Sequence, residues 1–135
     1  MNIALLSHDA KKELMVQFCI AYKGILAKHD ICATNTTGRM VNEATGLPVS
    51  LYLSCTQGGH QQIQAKVAYN ELDMVIFMSD SLADSELTSQ VVQIRNACDQ
   101  YNVPFASNIA TAEMLIMGLD RGDLAWREVI RRHTK

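Results

Sequence analysis

Five short apolar runs punctuate the chain, at Ile3 to Leu6, Ile31 to Ala33, Val49 to Leu53, Met74 to Met78 and Val103 to Ala106. Each gives way to a polar or glycine-containing segment and then to a helical pattern. Runs this short and nearly continuous suit strands of a parallel sheet covered on both faces, where neither set of side chains meets water. Between the first two, Leu14, Met15, Phe18, Cys19, Tyr22, Ile25 and Leu26 recur at helical spacing. Lys11, Lys12, Glu13, Gln17, Lys23 and Lys28 fall largely on the other side, which predicts one long amphipathic helix. Shorter helices are predicted from Gly38 to Ala44, His60 to Asn70, about Leu87 to Tyr101, Thr111 to Gly118 and Asp123 to Arg132, the last capped by Asp123.

Strands alternating with helices call for right-handed parallel crossovers. The expected fold is therefore α/β: a doubly wound, mostly parallel five-stranded sheet with helices on both faces. In such sheets ligands bind beyond the carboxyl ends of the strands. His8, Thr34 to Gly38, Ser54 to His60, Asp80 and Asn108 all fall at those ends.

At 135 residues the chain is expected to form one domain, residues 1–135, with room for a substantial core. A net charge of -2 offers no broad attraction to nucleic acid or anionic membrane, so an anion needs a local site. No apolar stretch approaches the roughly 20 residues that span a bilayer, and no basic leader precedes the first strand, so a cytoplasmic location is expected. Cys19, Cys32, Cys55 and Cys98 are scattered without a CxxC pair, as suits reduced thiols rather than a disulfide framework or zinc site.

Thr34-Asn35-Thr36-Thr37-Gly38 supplies hydroxyls and backbone amides where a strand passes into a helix, a place suited to a phosphate dianion. Taken alone, such threonines are more commonly simple helix caps. Lys12 is by itself an ordinary helix lysine, and Asp9 and Asp80 read as capping carboxylates. Asn108 with Thr111 reads equally as a strand end with a helix cap or as a direct ligand contact. The run Ser54-Cys55-Thr56-Gln57-Gly58-Gly59-His60-Gln61-Gln62 is the remaining polar glycine loop.

Together with His8-Asp9 and Lys12, the threonine segment, Asn102 to Asn108 and Ala110-Thr111-Ala112, this loop resembles the methylglyoxal synthases. Those enzymes eliminate phosphate from dihydroxyacetone phosphate. The likeness runs from Ile3 to about Glu128 and implies that Lys12, Thr34, Asn35, Thr36, Thr37 and Ser54 hold phosphate. Cys55 stands where the family has a glycine whose N–H joins them. The base in the family is an aspartate closing the Gly-Gly-Asp run, and here that position is His60. Leu87 and Gln90 stand where the family places a histidine and a second aspartate. His8, Asp9 and Asp80 match, His8 as a group toward a carbonyl oxygen and the two aspartates as orienting or charge-setting groups.

The leading expectation is a protein that binds a small phosphorylated ligand with impaired synthase activity. Its precedent is the related allosteric domain of carbamoyl phosphate synthetases. The alternative is an active carbon–oxygen lyase using His60 as base; altered chemistry, including a metal held by His60, His8 and Asp80, lacks a ligand-spacing motif. No cofactor or metal is implied. The expected partner is a phosphorylated metabolite or inorganic phosphate, with no nucleic acid or membrane. The resemblance implies a hexamer, with Leu119 to Arg132 as a contact segment. Trp126 reads as a packing anchor, and Arg127, Arg131, Arg132 and His133 as a solvated basic face.

Overall fold

A computed structural model describes residues 1–52, 57–83 and 86–134, though not the side chains of Glu86 or of residues 131–134. Five strands form one all-parallel sheet: β1 (Asn2–Ser7), β2 (Asp30–Thr34), β3 (Val49–Tyr52), β4 (Met74–Met78) and β5 (Phe105–Ala106). Their order across the sheet is β3-β2-β1-β4-β5. The helices are α1 (Lys12–Ala21), α2 (Lys23–Leu26), α3 (Asn35–Thr45), α4 (Gly59–Ala68), α5 (Glu86–Tyr101), α6 (Ile109–Arg121) and α7 (Trp126–Thr134).

The period-2 geometry of the strands sorts the core into two layers. Ile3 and Leu5 of β1, with Ile31, Ala33, Met74, Ile76 and Met78, pack against Met15 and Phe18 of α1, Val41 of α3 and Ile116 of α6. Ala4 and Leu6, with Cys32, Val75 and Phe77, pack against Ile63 and Val67 of α4 and against Val91 and Ile94 of α5. Because β1, β2 and β4 are covered on both faces, they read as apolar without a polar alternate.

Several boundaries differ from expectation. The long first helix divides at Tyr22 (φ -111°, ψ 22°), with Gly24 weakening the second part, while its apolar stripe continues through Leu26. A 3-10 turn at Asp9–Lys11 precedes it. Helix α3 starts at Asn35, immediately after extended Thr34. Strand β5 begins only at Phe105, because Asn102 takes φ 56° and the Val103 N–H closes α5 on the Cys98 carbonyl. Leu53, assigned to the third strand from its sequence, lies outside the described residues.

The C-terminal segment departs most. Asp123 does not cap α7: it follows Gly122 (φ 86°), which ends α6, and its carboxylate accepts from Arg121 at 2.9 Å. Arg127 is not solvated but 4% exposed, pairing with fully buried Asp73 at 3.2 Å. It also donates to Asn70 Oδ1 and to the carbonyls of Leu72 and Asn102. Trp126, read as a packing anchor, is 47% exposed because Arg127 takes the inward position of the helix. Among the described residues no helix is long and apolar enough to cross a membrane.

Candidate functional site

Parallel pairing brings the carboxyl ends of β1, β2 and β4 side by side, and the residues beyond them meet there. Ser7 is in register with Met78, and the His8 N–H continues the pairing onto the Met78 carbonyl at 3.2 Å. This brings His8 to Asp80, whose backbone N–H donates to His8 Nδ1 at 2.9 Å. A backbone N–H can only donate, so Nδ1 carries the lone pair and Nε2 the proton. Nε2 then donates to the Thr88 hydroxyl at 3.0 Å, with Phe77 edge-on to the ring at 4.9 Å between centroids. His8 is 4% exposed and both its nitrogens are engaged by the protein.

The Asp80 carboxylate turns back on its own loop, accepting the Leu82 N–H at 3.0 Å. Asp9 lies exposed and ion-paired with Lys12, which donates to it. That hydrogen bond, and then the ammonium charge, hold the Asp9 carboxyl below its ordinary value of 3.8. The lysine side chain is only 18% exposed, so its stem is packed while its head remains at the strand ends.

Thr34 is the N-cap of α3 and makes no side-chain capping bond, leaving the first amides of the helix without that partner. Thr36 is exposed beside them, whereas Thr37 is buried and its hydroxyl meets Ser7 Oγ at 3.2 Å. The Asn35 side-chain Oδ1 accepts from Arg39 Nε at 2.5 Å. Gly38 permits the close approach of α3 to the sheet, since a Cβ there would meet Leu51, Ala33 and Val49. Ser54 and Cys55, expected to complete the cradle, lie outside the described residues.

His60 occupies the second position of α4, entered through Gly58 at φ 97°, where any other residue is strained. Its ring is half-buried, and its Nδ1 is fully covered without a hydrogen-bond partner. Gln90 Oε1 on α5 is in the same condition, whereas Leu87 packs on the apolar cluster between the sheet, α4 and α5. Asn108 takes the capping role, its Oδ1 accepting the Thr111 N–H at 2.9 Å.

Sequence reasoning missed Thr88, 80 residues from the histidine it holds, and Ser7. A threonine inside a helix carries no local mark of such a contact. Cys19, Cys32 and Cys98 are free and buried, and burial pushes the Cys19 and Cys98 thiols up to about 12. Among the described residues no three His, Cys, Asp or Glu side chains converge to hold a metal. Two open clefts of about 470 and 500 Å³ both include Asp30 and Ile31, at the amino end of β2, away from this site.

A family model described as "MGS-like domain" matches residues 14–107. A methylglyoxal synthase of Caldicellulosiruptor saccharolyticus is 57% identical over 130 residues, covering 96% of this chain and 92% of that protein. A methylglyoxal synthase of Geobacillus thermodenitrificans is 48% identical over 135 residues, covering 100% of this chain and 94% of its own. The crystal structure of methylglyoxal synthase from Elizabethkingia anophelis superposes with a TM-score of 0.76 at 32% identity, over 85% of this chain and 76% of that one.

Proposed function

This chain belongs to the methylglyoxal synthase-like family, and from that premise we propose that it binds a small ketose phosphate of the dihydroxyacetone phosphate class and eliminates its phosphate, with His60 as base. The observation that carries this reading is the place of the half-buried His60 at the start of α4, the helix that follows β3, at the same strand ends from which Lys12 and the opening of α3 follow β1 and β2. A neutral imidazole has one lone-pair nitrogen and can take a proton at neutral pH. Lys12 and the α3 amides supply the charge and N–H groups that a phosphate dianion needs.

In this mechanism His60 removes a proton from the hydroxyl-bearing carbon next to the ketone, and the electron pair forms an enediolate. That pair then expels phosphate as the carbon–oxygen bond breaks, the hydroxyl on the deprotonated carbon gives up its proton to become the aldehyde, and the enol left behind ketonises to methylglyoxal. The imidazole ring is longer than a carboxylate and places its nitrogen differently. A displacement of about 1 Å costs on the order of 100-fold in rate, so turnover is expected below that of an aspartate-bearing relative.

A second reading, ligand binding without turnover, is favoured by one observation. Leu87 is packed among apolar side chains, and Gln90 brings no charge where the family carries titratable groups. Methylglyoxal formation from dihydroxyacetone phosphate decides between the two. Turnover abolished by His60→Ala and raised by His60→Asp supports His60 as base. An inert parent that still binds inorganic phosphate selects the second reading, and turnover unchanged in His60→Ala removes His60 from the chemistry.

Self-association belongs to the same reading. Trp126, Val129 and Ile130 are each about half exposed on α7, an apolar face that a second copy would cover. Sedimentation equilibrium showing a monomer at micromolar concentration would exclude it. A cytoplasmic site of action is part of this proposal as well.

A further inference from the structure

Among the described residues, His60 Nδ1 and Gln90 Oε1 are the buried side-chain polar atoms left without a hydrogen-bond partner. They belong to two helices that share an interface. His60, Ile63 and Val67 run at helical spacing along α4, while Leu87, Gln90, Val91, Ile94 and Cys98 do so along α5. Ile63, Val67, Val91, Ile94 and Cys98 belong to one apolar cluster, with Leu87 packed on it. Both helices follow parallel strands of the sheet, so they run alike, and His60 and Gln90 lie near the beginning of each. The two unpartnered atoms therefore belong to the same end of one interface.

We infer that Gln90 is a positioning residue for His60: its amide oxygen accepts the His60 Nδ1–H, after a side-chain rotation or through one shared water, and so leaves Nε2 as the lone-pair nitrogen. This rests on the reading of His60 as base. An amide oxygen can only accept, so Gln90 Oε1 is satisfied only by a donor. A neutral imidazole carries one N–H and one lone pair, and the group that binds one nitrogen selects the role of the other. A shared water serves nearly as well as a direct bond.

The inference also explains why the exchange at position 60 needs a partner. The two oxygens of a carboxylate base are equivalent, and either accepts a proton. An imidazole base works only in the right tautomer, and a neutral glutamine selects the tautomer without adding a charge beside a bound phosphate. Leu87, next to it on the same face, has no polar group to compete for either nitrogen.

The test uses nitrogen-15 NMR of the full chain near pH 8, with the His60 signals assigned by their loss in His60→Asp. The parent is expected to show the Nδ1–H tautomer. Gln90→Leu should shift the ring toward Nε2–H and lower kcat at least fivefold with KM little changed, while Gln90→Glu, which keeps an acceptor, should retain the parent tautomer. An Nε2–H tautomer in the parent overturns the inference, even if Gln90→Leu does not fold. An unchanged tautomer in folded Gln90→Leu overturns it equally. Loss of turnover in the parent with the expected tautomers would overturn the base assignment and leave the Gln90 contact standing.

Discussion

The backbone N–H of Asp80 donates to Nδ1 of His8 at 2.9 Å, tying the end of β4 to the end of β1 across 72 residues of sequence. The other nitrogen donates to Thr88 at 3.0 Å, and Thr88 in turn reaches the Ala83 carbonyl at 3.4 Å. His8 thereby links β1, the loop after β4 and α5 in a chain of bonds that each have a defined donor. Thr88→Val removes the acceptor and strands a buried N–H, which costs about 1–3 kcal/mol. Urea unfolding should show that loss, and Thr88→Ser should recover most of it. Equal stability of the valine variant would mean that the Thr88 contact does not support the loop.

Lys12 joins two effects that a single variant separates. With the ammonium gone, the Asp9 carboxyl should return upward toward 3.8, because Lys12 is both its hydrogen-bond donor and its main neighbouring charge. A depressed carboxyl pKa stabilises the fold above the unfolded value and loses that contribution as pH falls through the folded one. The acid-side loss should therefore vanish in Lys12→Ala, although it is small for so exposed a pair. The same variant should weaken inorganic phosphate binding by about 10- to 100-fold, the equivalent of one charge-assisted hydrogen bond. An NMR titration of Asp9 and calorimetry with phosphate read the two effects independently.

Arg127→Met should be severe. It leaves the Asp73 carboxylate fully buried with its Arg127 partner gone, a change of about 3–5 kcal/mol. Asp73→Asn in the same chain removes that stranded charge while keeping an oxygen for the Asn2 N–H. The double variant should be more stable than Arg127→Met alone, as measured by denaturant midpoints. A double variant less stable than the single one would show that the ion pair is not what Arg127 contributes.

Cys19 and Cys98, with thiols pushed up to about 12 by burial, should resist alkylation by iodoacetamide at pH 8 in the folded protein. Both should react once urea is added. Peptide mass spectrometry distinguishes these sites, and rapid labelling of either in the folded chain would contradict its burial.

The strands were legible because the parallel sheet demands the same thing of each residue. Met74 to Met78 is apolar at every position since both faces of β4 are covered, and the strand has those bounds. Helix ends were less legible where a turn intervened. Asp123 has the right chemistry for a cap, but Gly122 uses the same few residues to close α6, and α7 starts only after that turn. At the site, Lys12, the α3 opening and His8 are the groups that strand ends select. Thr88 was not legible, because its role depends on a residue 80 positions away.

By itself the order of residues determined the alternation of strands and helices and placed the polar and glycine-containing segments, His60 among them, at the strand ends. These are local properties, set by periodicity, turn chemistry and the residue types that phosphate and proton transfer require. Only the tertiary structure decided that Arg127 lies inward on Asp73 while Trp126 lies outward, and that His8 has both nitrogens occupied. The same is true of the covered, unpartnered atoms of His60 and Gln90 on neighbouring helices. Burial and hydrogen-bond partnership depend on which distant segments are packed together, and the spacing of residues along one segment carries no record of that choice.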